Sequence, residues 1–265
     1  MPNHTIFNER PESQNRALKV IEKLGYTIVP RSEAEKKRGS RRAVLFTEEL
    51  QSFLSHQTYQ FGTEERYFSG GSIAKAMQTV DQFSAAGLYA ENKAIYELLC
   101  AGKSMEEDLP DGTRQSFDLS FIDFEHPENN TFQVTDEFEV ERPNGKFARP
   151  DIVVLVNGIP LVVIECKKSS VDVMEGVNQN IRNWGEEYIP HLFRYTQLVL
   201  AMNPDKVLYG TCGTPAKYFV SWHEDDKEWL NNWCRKCSPD GQIKEQDRAL
   251  VSLLHPDRLL DLIRN

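Results

Sequence analysis

The segment that most constrains the fold spans residues 149–168, RPDIVVLVNGIPLVVIECKK. It contains two runs rich in Val, Ile and Leu, at residues 152–156 and 159–164, which are too short for buried helices. Asn157-Gly158 separates the two runs, and this dipeptide is the strongest short-range signal for a β-hairpin. Because the middles of both strands are wholly apolar, the sequence predicts a hairpin that is buried within a sheet.

Three ionisable residues lie at the outer ends of this hairpin. Asp151 enters the first strand, and Glu165 and Lys167 leave the second on one face, because they are two residues apart. Two carboxylates, with a backbone carbonyl and waters, suit Mg²⁺, and a lysine would then orient a water or stabilise charge on a phosphate. The pattern favours metal-assisted hydrolysis of a phosphodiester. The alternative is that charges flank these strands only because the strands have reached water.

The spacing of the two carboxylates makes a structural demand. With a strict two-residue turn, Val156 pairs with Ile159, and counting outward places Asp151 opposite Ile164 rather than opposite Glu165. The two carboxylates would then lie on different faces of the sheet. A shared site therefore requires a one-residue bulge or a longer loop, and we expect the irregularity near Pro160, which cannot donate a ladder hydrogen bond.

These residues resemble the motif of the PD-(D/E)xK nucleases. Pro150-Asp151 and Glu165-Cys166-Lys167 match it residue by residue, with thirteen residues between Asp151 and Glu165. Further blocks resemble the N-terminal endonuclease region of the R (restriction and motor) subunit of type I restriction-modification enzymes. They are ENKAIYELLCAG, FIDFEHPENNTFQVTDEFEVE, IPLVVIECKKSS, NQNIRNW and YIPHLFRYTQLVLAMN, in that order along the chain.

The resemblance implies an α/β fold with a restriction-endonuclease-like core, in which helices flank a mixed central sheet. It also implies that Asp151 and Glu165 bind Mg²⁺ and that Lys167 acts on the water or the scissile phosphate. Gln179 would be a fourth catalytic residue. The family often has a tyrosine four residues after this glutamine, whereas this chain has Asn183 there and Trp184 next. An ordinary exposed amide is therefore an equally good interpretation of Gln179.

The same resemblance implies partners. In the family, the R subunit continues into an ATP-driven translocase of double-stranded DNA and works with specificity and methylation subunits. This sequence has no G-x-x-x-x-G-K-[ST] loop that would cradle ATP phosphates. We therefore expect residues 1–265 to be a single endonuclease domain and an N-terminal fragment that lacks the helicase-like motor, with its catalytic core at about residues 90–222. ATP would serve only the missing motor.

Two other functions stay open. The domain would act as a docking or regulatory module of the complex if its site were silent in isolation. It would be a self-sufficient nuclease, related by fold only, if the chain cleaved DNA with magnesium and without ATP. The net charge of −9 argues against a general DNA-coating protein but leaves room for local phosphate contacts.

The candidate DNA contacts are basic residues. Most lie in RSEAEKKRGSRR at residues 31–42, where a solvated loop is the alternative interpretation. The candidates are Lys36, Lys37, Arg38, Arg41, Arg42 and, later in the chain, Arg182. Glu12 is a candidate acidic neighbour of the metal, although a glutamate at a helix start needs no such role.

Composition and periodicity complete the analysis. Five cysteines, an odd number, together with the lack of a membrane-spanning run or a signal-peptide pattern, indicate the cytoplasm, and the lone Cys234-x-x-Cys237 pair falls short of a zinc site. Helical spacing predicts helices over residues 11–25, 91–99, 171–184 and 247–263. Strand patterns predict strands over residues 117–124, 131–140, 195–202, 206–211 and 218–222.

Overall fold

The computed structural model describes residues 12–82 and 87–265. The helices are α1 (Glu12–Lys23), α2 (Arg31–Arg38), α3 (Thr47–Ser55), α4 (Gly70–Asp81), α5 (Leu88–Ala101), α6 (Met174–Asn183), α7 (Pro190–Phe193), α8 (Lys227–Cys237), α9 (Glu245–Leu254) and α10 (Pro256–Arg264). The strands are β1 (Thr27–Ile28), β2 (Thr58–Phe61), β3 (Glu64–Tyr67), β4 (Lys103–Asp108), β5 (Arg114–Leu119), β6 (Phe132–Asp136), β7 (Val140–Glu141), β8 (Phe147–Ala148), β9 (Ile152–Val156), β10 (Ile159–Cys166), β11 (Leu198–Asn203) and β12 (Lys206–Gly210).

A six-stranded sheet with the order β1-β6-β9-β10-β11-β12 forms the centre of the molecule. The pairs β1/β6 and β10/β11 are parallel, and the other neighbours are antiparallel. Every residue of β9 and β10 is buried, as their unbroken apolar sequences require. This confirms the predicted mixed sheet with flanking helices and the buried hairpin at its middle.

The hairpin contains the predicted bulge. Val156 pairs with Ile159 and Leu155 with Pro160, but Val154 then pairs with Val162, so Leu161 is the extra residue. Ile152 consequently pairs with Ile164, which is the last pair of the ladder, and the same register continued outward sets Asp151 opposite Glu165. The shift therefore brings the two carboxylates to one face, and both the need for a bulge and its place beside Pro160 are confirmed.

Helix α6 packs closely over the end of β10. A Cβ atom added to Gly176 would lie 3.1 Å from the Cβ atom of Ala201 and 3.4 Å from that of Glu165. The first of these distances is tighter than ordinary van der Waals contact, so glycine lets the helix approach the sheet at this point. The helix consequently covers Glu165, which is fully buried.

Three strand predictions were wrong in whole or in part, because other contacts or a left-handed residue interrupt the ladder. Residues 120–124 lie outside β5, and the backbone N–H and carbonyl of Ser120 bond to the side chain of Gln57 instead. β6 ends at Asp136 because Glu137 has a left-handed φ of 52°. Residues 218–222 form no strand, since Val220 makes only an isolated bridge to Tyr209.

The helix predictions needed smaller corrections. Residues 31–42 are not a simple loop, because they contain α2. The C-terminal segment is two helices, since Pro256 starts α10 directly after His255. Pro11, the predicted start of the first helix, lies outside the described residues. Within the described ranges, no helix has the length and apolar character needed to cross a membrane.

Candidate functional site

The carboxylates of Asp151 and Glu165 meet at the outer end of the central hairpin. Asp151 precedes β9, Glu165 lies near the end of β10, and Lys167 follows that strand directly. Gln179 comes from α6 above them. Asp151, Lys167, Gln179 and Arg182 line one cleft of about 810 Å³. The structure therefore brings together the four predicted catalytic residues, which are Asp151, Glu165, Lys167 and Gln179.

Asp151 is held through both its side chain and its main chain. Its Oδ2 accepts a hydrogen bond from the backbone N–H of Cys166 at 2.7 Å. Its carbonyl oxygen accepts hydrogen bonds from Nε2 of Gln14 at 3.1 Å and from the backbone N–H of Glu137 at 2.9 Å. Burial raises the pKa of Asp151, while the Cys166 N–H and the charge of Lys167 oppose that rise. The Cys166 N–H thus orients the carboxylate, and the two favourable interactions offset only part of the effect of burial on its charged form.

Glu165 is the residue whose hydrogen bonding is least satisfied. Its side chain is 0% exposed, and no N–H or hydroxyl group donates to either carboxylate oxygen; the carboxyl group of Asp151 lies against it. The nearest cation is Nζ of Lys167, 3.8 Å from Oε2. Burial first, and then the negative charge of Asp151, raise the pKa of Glu165 well above its ordinary value. Buried polar atoms are nearly always paired, so two unpartnered oxygens indicate that something else completes this site.

The donor set fits a hard divalent cation. One carboxylate directly precedes β9 and the other lies in β10 beside it, and oxygen ligands of this kind suit Mg²⁺. Among the described residues there is no group of three or more His, Cys, Asp or Glu residues able to hold a metal. A cation here would therefore take its remaining ligands from backbone carbonyls, water or substrate, as Mg²⁺ commonly does.

Lys167 points into the same site and is held by Gln179. Its Nζ donates to Oε1 of Gln179 at 2.7 Å, and its side chain is 18% exposed. The structure thus gives Gln179 a specific contact rather than a free surface position. Asn183 and Trp184, which stand where the family often has a tyrosine, are both buried.

The predicted DNA contacts have mixed environments. Lys36 and Arg42 are exposed, whereas Lys37 pairs with Glu49 and Arg41 pairs with Glu139 at 2.9 Å. Arg38 is a correction: it is 5% exposed, lies 4.0 Å from the ring centroid of Phe138 and donates to the carbonyl oxygens of Ala34, Ala43 and Glu139. Its guanidinium is occupied inside the protein, so we remove Arg38 from the candidate set.

The sequence did not point to Gln14 and Glu137, which both lie near Asp151. The amide of Gln14 is fully buried in α1 and also donates to Oε1 of Glu137 at 3.4 Å. Glu137 in turn pairs with Arg149 at 2.9 Å. The suggested Glu12 instead pairs with Lys244 at 2.9 Å and is 79% exposed. No local pattern marks Gln14, because its partner Asp151 is 137 residues away.

The buried Cys-x-x-Cys pair adds no second site. Cys234 and Cys237 lie in α8, are free thiols and are both fully buried. Burial raises the pKa of each thiol, which favours the uncharged form. Both side chains pack as small apolar groups in the core.

Comparison with known proteins gives a consistent result. The family model described as "Type I restriction enzyme R protein N terminus" matches residues 6–218. The chain is 28% identical over 84% of its length to the putative MjaIXP endonuclease subunit of Methanocaldococcus jannaschii, and 27% identical over 98% to the HindI endonuclease subunit of Haemophilus influenzae. It is 32% identical over 65% of its length to the SauCOLORF180P endonuclease subunit of Staphylococcus aureus.

The chain spans only part of these relatives. Its matches cover 21% of the Methanocaldococcus protein, 24% of the Haemophilus protein and 17% of the Staphylococcus protein. The names of all three describe type I restriction enzymes. Because the family model covers most of residues 1–265, including the whole site, the chain belongs to the family of the N-terminal region of type I restriction enzyme R proteins.

Proposed function

We propose that this chain is a Mg²⁺-dependent endonuclease domain that cleaves double-stranded DNA as part of a type I restriction enzyme. The observation that carries the proposal is the pair of buried, unpartnered oxygens of Glu165 opposite Asp151 and beside Lys167. Two adjacent carboxyl groups of this kind are unfavourable in a protein that never binds a cation, because burial and their mutual repulsion oppose the charged forms.

Each residue has a chemical task in the proposed reaction. Asp151 and Glu165 would hold the metal, and bound Mg²⁺ would supply a Lewis acid that lowers the pKa of a water and polarises the phosphate. Lys167 would orient the attacking water or stabilise negative charge that develops on the phosphate. Gln179, which accepts from Lys167, would fix the direction of its ammonium group.

The proposed context follows from the relatives, whose names describe endonuclease subunits of type I restriction enzymes. We propose that the domain works with specificity and methylation subunits in the cytoplasm, and that a motor region absent from residues 1–265 uses ATP to move DNA. The domain would supply cleavage and leave sequence recognition to another subunit, since nothing in the chain resembles a base-reading module.

Calorimetric titration of Mg²⁺ or Mn²⁺ into the wild-type chain and into Asp151→Ala tests the proposal. We expect binding by the wild type that disappears in the variant, and Asp151-dependent cleavage of duplex DNA in the assembled enzyme. The titration is repeated with a DNA duplex present, which shows whether DNA completes the site. A folded wild type that binds no metal with or without DNA contradicts the proposal and favours a docking or regulatory role.

A further inference from the structure

Some arginines of this acidic protein form ion pairs with carboxylates, and others do not. Most of those described pair with a carboxylate within 4.0 Å: Arg16, Arg31, Arg41, Arg66, Arg114, Arg149, Arg194, Arg248, Arg258 and Arg264. Arg38, Arg42, Arg142, Arg182 and Arg235 have no such partner among the described residues, although the chain carries a net charge of −9. Of these, Arg182 lines the cleft of the candidate active site and Arg142 contacts the same tyrosine ring as Arg182, so positive charge remains available there.

One aromatic ring holds both guanidinium groups. The Cζ atom of Arg142 lies 3.9 Å from the ring centroid of Tyr188, and that of Arg182 lies 5.4 Å from it. We call Arg142, Tyr188 and Arg182 the arginine–tyrosine cluster. Contact with a ring face offsets part of the repulsion between two cations and limits their motion. The cluster therefore presents two positioned charges.

The backbone around the cluster is also well defined. Nε of Arg142 donates to the carbonyl oxygen of Glu187 at 3.0 Å, which ties the β7–β8 turn to the loop after α6. The N–H of Arg142 donates to the carbonyl oxygen of Lys146 at 2.7 Å, and the N–H of Tyr188 donates to that of Gly185 at 2.8 Å. Two short turns therefore hold the cluster in place.

The cluster is continuous with the cleft. Arg182 lines the cleft together with Asp151 and Lys167, and its positive charge opposes the rise in the pKa of Glu165. Arg142 extends the same positive surface outward to the β7–β8 turn. A strand whose phosphate reached Lys167 would thus place neighbouring phosphates within the field of these arginines.

We infer that the arginine–tyrosine cluster binds the phosphate backbone of the DNA strand that enters the cleft. The inference rests on the proposed function and names a contact for its substrate. Arginine suits this task because its planar group can stack on a ring while its edge donates to phosphate oxygens. Such contacts position the strand without reading its sequence, in keeping with a domain that leaves recognition to another subunit.

The test measures binding of the full 265-residue chain to a fluorescently labelled duplex by anisotropy, with Ca²⁺ in place of Mg²⁺, at several salt concentrations. Each lost phosphate contact reduces the slope of log K against log salt by about 0.9. We expect that reduction for Arg142→Ala and for Arg182→Ala, and about twice that reduction for the double variant. Tyr188→Leu should reduce both slope and affinity, whereas Tyr188→Phe, which keeps the ring, should match the wild type.

Arg114→Ala is the matched control, because it removes the same charge from an exposed arginine that is paired with Asp108. Its slope should equal that of the wild type, and thermal melting should show that every variant folds. The inference is overturned if Arg142→Ala and Arg182→Ala keep the wild-type slope while the wild type binds the duplex. In that case, metal binding and Asp151-dependent cleavage would leave the proposed function standing. A wild type that binds metal but no duplex also overturns the inference, and one that binds neither overturns both proposals.

Discussion

Two buried charge clusters lie against α1, and they are built in opposite ways. In the first, Arg16 bonds to Asp247 at 2.8 and 2.6 Å, to Asp240 at 2.7 and 3.1 Å and to the carbonyl oxygen of Gln242. In the second, Gln14 contacts Asp151, whose neighbour Glu165 keeps two unpartnered oxygens. Every donor group of Arg16 is used, whereas the carboxylate of Glu165 is left without a donor.

The difference distinguishes a structural ion cluster from a site prepared for a ligand. Arg16 holds the pKa of Asp240 below its ordinary range, so the Arg16–Asp240 ion pair persists over a wide pH range. At Glu165, burial and Asp151 disfavour the charged form, and the charges of Lys167, at 3.8 Å, and of Arg182 only partly oppose them. Breaking the first cluster should cost stability, whereas altering the second should cost function. The following predictions test that division.

The largest effect should come from Glu165→Gln. This variant keeps the shape of the side chain but removes a metal-binding carboxylate, so cleavage in the assembled enzyme should fall about 1000-fold or more. Stability should stay equal or rise by about 1 kcal/mol, because a neutral amide replaces a buried carboxyl group that lies against Asp151. Cleavage assays and urea denaturation measure the two quantities. A marked loss of stability with retained cleavage would show that Glu165 supports the fold and not the reaction.

Arg16→Met should show the opposite pattern. It leaves the fully buried carboxylate of Asp247 without its counter-ion, and the free energy of unfolding should fall by about 3–5 kcal/mol. Urea denaturation checks this value. Arg66→Met, which removes an exposed arginine paired with Glu64, is the control and should change stability by less than about 1 kcal/mol. Equal losses in both variants would refute the assignment of the Arg16 cluster to stability.

Gln179→Leu should have a smaller effect on function. It removes the oxygen that accepts from Lys167, so kcat should fall about 10- to 100-fold while metal affinity stays unchanged. Gln179→Glu retains an acceptor for the ammonium group and should keep more of the activity. Cleavage kinetics separate the two variants. An unchanged rate in Gln179→Leu would show that Gln179 is an ordinary amide without a role in catalysis.

His191, a half-buried ionisable residue, extends the comparison to pH. Burial lowers its pKa to about 4, and its Nε2 has no hydrogen-bond partner among the described residues. In the unfolded chain a histidine has a pKa of about 6.5, so the unfolded state takes up the proton first as pH falls. Stability should be unaffected above about pH 7 and should decrease by about 1–2 kcal/mol by pH 5. Urea denaturation of wild type and His191→Gln at both pH values checks this, and an equal decrease in the variant would contradict it.

The sequence was informative where the chemistry is local. Asp151, Glu165 and Lys167 belong to a single hairpin, so strand alternation and turn length alone located them and required the bulge. Gln14 and Glu137 reach Asp151 only after distant segments pack together, and no local periodicity records such contacts. The same reason explains the misjudged strand at residues 120–124, where the side chain of Gln57 replaces a strand partner. Arg38 likewise belonged to a basic run, and only the folded chain shows that its charge is buried.

The bulge at Leu161 has a consequence for how this motif tolerates changes in length. Thirteen residues separate Asp151 from Glu165, and an odd number around a two-residue turn leaves one residue unpaired. A hairpin shortened by that one residue would pair throughout and would still set the two carboxylates opposite each other. Deleting Leu161 would therefore remove the bulge and preserve the site. A further residue inserted into the hairpin would instead need a second bulge. The number of residues between the two carboxylates can therefore differ by one, and a search pattern with a single fixed spacing would miss such sites.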